Sequence, residues 1–238
     1  MMSLLSLDGV SKRYADPRRT AVALDGITLT VEPGEVVAAW GGRGSGRTTL
    51  LRVAAGLEQP DSGTVRFCGV DLAGGAELAT AAGLVYVQSR LLGPQRQQLL
   101  DRLTVALVAR GGSKRAARDQ VRAALERAGV GRCLDVRVGE LDATESVRVG
   151  IAQALLCDPK LIVVDEPTAT VPLIERDGIL ALLRSIADSG IAVLMSAGEA
   201  IGLSGVDRAL TISGGRLHAN IAAERAVVVP LRPASGGM

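Results

Sequence analysis

Residues 41–49 read GGRGSGRTT. The run has the spacing of a phosphate loop, G-x-x-x-x-G-K-[ST], with Arg47 at the position the pattern gives to lysine. Such a loop works because a strand runs into a glycine-permitted turn, and backbone N–H groups with the following helix N-terminus surround a triphosphate. Gly41, Gly44 and Gly46 supply the turn, while Gly42, Arg43, Ser45 and Thr49 complete the candidate nucleotide-binding set. Thr48 keeps the hydroxyl that such loops offer to Mg²⁺. Arg47 keeps the positive charge but carries it on a planar fork, which cannot take a lysine's compact position without moving the loop or the phosphates.

The flanks agree with this reading. The mostly apolar Glu35–Trp40 predicts a buried strand, and Thr48–Ala55 predicts a helix closed by Gly56. A glycine-rich turn without a ligand is the alternative, and the strand–loop–helix context disfavours it.

At 238 residues, the chain has length for one large domain, or one with a small subdomain, around an ample core. Hydrophobic residues make up 47% and mean hydropathy is +0.28, a globular composition. No apolar run reaches about 18 residues and no charged-then-apolar leader opens the chain, so a cytosolic or membrane-peripheral protein is expected. The net charge of +2, without a dense basic block, argues against nucleic acid as a partner. Three lysines stand against 24 arginines, so an arginine at position 47 fits the general usage. Cys68, Cys133 and Cys157 lack C-x-x-C spacing and are expected to be buried, reduced thiols.

Patterning divides the chain. The first ninety residues predict strands: Ile27, Leu29 and Val31 alternate with threonines before the turn at Pro33-Gly34, and Thr64–Phe67 follows Asp61-Ser62-Gly63. Residues 92–157 predict helices. Val121, Ala124, Leu125 and Ala128 recur at helical spacing behind the candidate cap Ser113, and Val147, Ile151, Ala154 and Leu155 repeat the pattern. Leu161–Val164 is continuously apolar, as a strand buried on both faces is, and ends in Asp165-Glu166. A helix near residues 173–187 and a strand over Ile191–Met195 follow, and Pro230, Pro233 and Gly236-Gly237 predict a loosely held tail.

These landmarks, in this order, resemble the nucleotide-binding subunits of ABC transporters over nearly the full length: Tyr14, the loop 41–49, GLEQPDSGTV, Gln88 after an apolar strand, GEL before a helix, and LIVVDEPTA. The opening LDGITLTVEPGE and the stretch around DPKLIVVDEPTA are most similar to the lipoprotein-release and macrolide-export branch. The resemblance implies an α/β P-loop NTPase core of ABC ATPase type with an antiparallel β subdomain and a helical subdomain. On this basis residues 1–90 hold the β subdomain and the phosphate-loop part of the core, 91–157 the helical subdomain, 158–225 the rest of the core and 226–238 the tail. ATP and Mg²⁺ are the implied cofactors, with Thr48, Gln88 and Asp165 as metal-site residues, Glu166 polarising the attacking water with Gln88, and Tyr14 stacking on adenine. An acidic strand end capping a neighbour, a surface glutamine and an ordinary strand tyrosine are the alternatives for Asp165-Glu166, Gln88 and Tyr14.

In this family two subunits face each other and each ATP lies between one phosphate loop and the other subunit's signature LSGGQ. Here Leu141-Asp142-Ala143-Thr144-Glu145 stands in its place. Asp142 sets a carboxylate where a helix N-terminus should approach a triphosphate, a repulsion on the order of several kcal/mol when partly desolvated. With Glu145 it has the form of a capping box, which stabilises the helix start internally. The family's switch histidine corresponds to Gly198, and Pro172 stands where an aspartate would cross to the partner; His218 is expected at the surface. The expectation is a degenerate ATP-binding subunit, peripheral on the cytoplasmic side of the membrane, with weak or no hydrolysis by itself. It would serve a transmembrane permease and pair with a second ABC ATPase subunit as a hetero- or homodimer. A non-hydrolysing nucleotide sensor or scaffold is the alternative.

Overall fold

Three short strands decide the architecture, because they are apolar at every position but Ser196 and bury both faces. They are β3 (Val36–Trp40), β7 (Leu161–Val164) and β8 (Ala192–Ala197). The computed structural model describes residues 3–16, 19–87, 94–198 and 203–222. Around the three strands run β1 (Leu5–Asp16), β2 (Arg19–Val31), β4 (Ser62–Phe67), β5 (Val70–Asp71), β6 (Leu84–Val87), β9 (Arg208–Ser213) and β10 (Arg216–Ala222). The helices are α1 (Arg47–Ala54), α2 (Ala76–Ala81), α3 (Leu99–Val108), α4 (Lys114–Arg127), α5 (Ala143–Leu155) and α6 (Leu173–Asp188).

The strands form two sheets. One is antiparallel, in the order β2-β1-β4-β5, and the other runs β10-β9-β3-β8-β7-β6 with all pairs parallel except the β9–β10 edge. Successive residues of a strand point to opposite faces, so the central strands feed two cores at once. Val37, Ala39, Leu161, Val163 and Leu194 join α1 and the antiparallel sheet, whereas Val36, Ala38, Ile162, Val164 and Met195 join α3 to α6. Leu50 and Leu51 of α1 are fully buried in the first core, each contributing about 1.5–3 kcal/mol of transfer free energy. The α/β class with an antiparallel sheet and a helical layer is therefore as expected.

Local chemistry follows the sequence closely. Ser113 caps α4 by accepting the Ala116 N–H, and the GLEQPDSGTV turn leads into β4. Strands β1 and β2 pair, with Tyr14 opposite Ala21 and Asp16 opposite Arg19. One expectation fails: Cys68 is exposed and Cys157 half-buried, and only Cys133 is a core thiol. Cys68 lies on the β4–β5 turn at φ 51, where the chain reverses and leaves no layer to cover it. His218 is exposed, as expected, while Gln88 and the tail beyond residue 222 lie outside the described residues.

Register brings the strand ends together. Trp40 pairs with Ala197 and Val164 with Met195, so the segments after β3, β7 and β8 leave the same edge of the sheet side by side. In open parallel sheets this carboxyl edge is where ligands bind.

Candidate functional site

The loop after β3 is shaped by contacts that admit no side chain. A Cβ on Gly46 would lie 2.2 Å from the Ala23 carbonyl oxygen, and its φ of 106° is a left-handed conformation that only glycine adopts freely. A Cβ on Gly41 would lie 2.2 Å from the Ile212 carbonyl oxygen and 2.9 Å from Ser45 Oγ. Within this cradle the Ser45 hydroxyl is buried and has no hydrogen-bond partner among the described residues. Gly42, Arg43, Gly44 and Thr48 are exposed. Tyr14, Ala23, Gly44, Ser45, Thr48 and Thr49 line a cleft of about 290 Å³, with Tyr14 Oη 3.4 Å from Thr49 Oγ1. Burial and then Glu58 raise the Tyr14 phenol, which stays protonated. An orphaned hydroxyl, an exposed threonine at a helix start and a glycine-walled turn fit the outer phosphates of a nucleotide.

Arg47 departs from the loop's usual chemistry. Its buried guanidinium turns toward the ends of the neighbouring strands, with Nη1 donating to the Ala197 carbonyl and Nη2 to Glu166 Oε1, each at 2.5 Å. The Ala197 carbonyl also accepts the Gly41 N–H at 3.3 Å. Glu166 has a φ of 45°, a conformation costing roughly 1–3 kcal/mol for a residue with a side chain. Its backbone N–H donates to Ser196 Oγ at 2.8 Å, so both ends of this strained residue are held.

Asp165 is held as firmly. Ser196 Oγ donates to its Oδ1 at 2.5 Å, and Tyr86 Oη donates to its Oδ2 at 3.5 Å. The Tyr86 phenol is pushed up to about 12, first by burial and then by the Asp165 charge, so it remains a donor throughout the physiological range. Ser196 and Tyr86 escaped the sequence reading. Their signal was present: Ser196 is the only polar residue in an otherwise apolar buried strand, and the β7–β8 register sets it beside Asp165.

At the start of α5 the capping box forms as expected. Asp142 Oδ1 accepts the Glu145 N–H at 2.7 Å and Glu145 Oε2 accepts the Asp142 N–H at 3.1 Å. Arg132 pairs with the other Glu145 oxygen at 2.9 Å. The Asp142 N–H bond, ahead of contacts from Cys133 and Arg132, holds the Glu145 carboxyl below the usual range, while burial raises Cys133 to about 11. Thus Arg47, Glu166, Asp165 and Gly198 share one strand edge beside the loop. Among the described residues no group of three or more His, Cys, Asp or Glu forms a metal cluster.

The chain belongs to the ABC transporter family, whose pattern matches residues 24–169, and it is an ATP-binding subunit of that kind. It is 33% identical to the lipoprotein-releasing system ATP-binding protein LolD of Chromohalobacter salexigens, over 90% of this chain and 92% of that protein. It is 34% identical to LolD of Pseudomonas syringae pv. tomato, over 90% and 97%. The macrolide export ATP-binding/permease protein MacB of Rhodopirellula baltica is 32% identical over 89% of this chain but only 32% of its own length. In fold, the chain matches the dimeric post-hydrolysis ATP-binding cassette MJ0796 with TM-score 0.82 at 22% identity, covering 92% and 98% of the two chains. The branch expected from the sequence is thus borne out. No helix among the described residues is long and apolar enough to cross a membrane.

Proposed function

We propose that this chain binds Mg-ATP in its own phosphate loop but hydrolyses it weakly or not at all by itself, working beside a permease and a second ATPase subunit on the cytoplasmic side of the membrane. The observation that carries the reading is the closed start of α5. Asp142 occupies the N–H of Glu145, so the helix end that should receive a partner's nucleotide carries an anion of its own. The same chain keeps the glycine cradle, the Ser45 and Thr48 hydroxyls and a fixed Asp165. The binding half of the site is retained and the half offered to a partner is lost.

Within this reading the loop N–H groups and Ser45 bind the outer phosphates, and Tyr14 borders the cleft where a base would stack. Thr48 and Asp165, with Gln88, would hold Mg²⁺, which neutralises phosphate charge when bound. Ser196 and Tyr86 orient Asp165, and Glu166 is the group able to polarise a water. The LolD relatives, named as ATP-binding proteins and matched over 92% and 97% of their own lengths, support an ATP-binding subunit without a fused permease.

Equilibrium dialysis with Mg-ATP and a phosphate-release assay test this. Saturable binding that the paired Thr48→Ala and Asp165→Asn changes abolish, with release near background, is expected; a robust rate from the isolated chain would sink the proposal. A nucleotide sensor or scaffold is the second reading, favoured by the tie between Arg47 and Glu166.

A further inference from the structure

The geometry points to Arg47, Glu166 and Gly198 as a latch that closes over the nucleotide-free site and that a nucleoside triphosphate must open. Glu166 is then a positioning residue for Arg47, and Gly198 the vacancy that lets the latch close. The inference rests on the ATP-binding reading for its ligand, but the contact itself does not.

Three observations carry it. The guanidinium is spent inward, one nitrogen on the Ala197 carbonyl and one on Glu166, although it begins in the phosphate loop. A Cβ at position 198 would lie 3.2 Å from Nη1, so that the guanidinium tip would have to give by a few tenths of an ångström, and would be in ordinary contact with Glu166 Oε1 at 3.6 Å and Nη2 at 3.7 Å. Glu166 is presented by a left-handed backbone whose N–H is anchored on Ser196, which aims its carboxylate without further adjustment. A lysine at position 47 would bring a single compact ammonium in place of a planar fork whose two nitrogens each meet one acceptor, so it does not reproduce this contact.

The consequence is competition. While the latch is shut, both terminal nitrogens of Arg47 are engaged and Glu166 Oε1 is paired with a cation, so the arginine must let go before it can meet a phosphate. A triphosphate offers more negative charge and more acceptor oxygens than one carboxylate, and it wins the guanidinium at the expense of the Glu166 bond. The apparent affinity for nucleotide is reduced by the fraction of chains in which the latch is shut.

Two measurements on the full chain test this. In nucleotide-free melts, Gly198→Ala and Glu166→Gln should each lower the midpoint by about 2–4 °C with arginine at position 47 and by much less in an Arg47→Lys background. Equal shifts in both backgrounds overturn the latch. In titrations, Gly198→Ala should raise Mg-ATP affinity by about threefold or more while leaving Mg-ADP nearly unchanged, an effect that filling a structural gap does not produce. Coupled melts with unchanged ATP affinity overturn the competition. Coupled melts with no nucleotide binding in any variant uphold the contact and overturn the ATP-binding reading instead.

Discussion

Ser196 and Asp165 sit side by side at the ends of adjacent parallel strands, the serine hydroxyl donating to one carboxylate oxygen while accepting the N–H of the next residue, Glu166. One buried oxygen therefore aligns both acidic residues.

Replacing it should cost more than a surface hydroxyl does. Ser196→Ala leaves a carboxylate oxygen and a backbone N–H short of a partner, and we expect a loss of about 1–3 kcal/mol. Urea unfolding should show a lower midpoint at unchanged slope. A shift no larger than that of an exposed serine would mean that water replaces the hydroxyl.

Position within the loop decides the effect of adding a methyl group. Gly46→Ala meets the Ala23 carbonyl at 2.2 Å in a left-handed conformation and should cost at least about 1–3 kcal/mol, with loss of nucleotide binding. Gly42→Ala meets nothing within 4 Å and should stay within about 0.5 kcal/mol of the parent. Similar destabilisation by the two changes would contradict the cradle geometry.

The capping box should appear in the acid limb of stability. Glu145 has its carboxyl lowered in the folded chain by the Asp142 N–H, so the stability it adds is complete above the ordinary glutamate range, about pH 4.3, and is lost as pH falls through the lower folded value. Glu145→Gln should flatten that part of the curve, and Asp142→Ala should cost about 1 kcal/mol at neutral pH. An unchanged acid limb would count against the box.

Hydrolysis and association provide the fourth check. Phosphate release should stay near background in the Arg47→Lys single variant, because Asp142 and Gly198 alter separate parts of a closed site. ATP should not promote self-association in light scattering even with Glu166→Gln, whereas Asp142→Ser with Thr144→Gly should make it nucleotide-responsive. ATP-dependent dimerisation of the unmodified chain would falsify the view that an internal anion has replaced the ligand.

Much of this was legible in the sequence for a physical reason. Leu161–Val164 and the GGRGSGRTT loop announce themselves because burial on both faces and absence of Cβ atoms are local properties, readable without knowing neighbours. Asp142 and Glu145 lie three residues apart, so their box was readable too. What the chain hid was long-range. The Arg47–Glu166 bond joins residues 119 positions apart, and its dependence on Gly198 is visible only once β3, β7 and β8 stand in register. Along the chain the arginine reads as a charge-conserving exchange in the loop and the glycine as a missing histidine, two unrelated departures. In space the arginine head lies over the glycine. The fate of Cys68 was hidden similarly, since nothing in its own segment reveals that its turn faces solvent.

The Ala197 carbonyl accepts both the first N–H of the phosphate loop and the guanidinium that the loop's end sends back. Because that acceptor belongs to the main chain, no exchange of side chain at position 197 removes it. Genetic variation can reach this junction only from the donor side, through Arg47, or by crowding at Gly198. Those two positions therefore carry the evolutionary freedom of the whole junction, and relatives that alter one should be read together with the other.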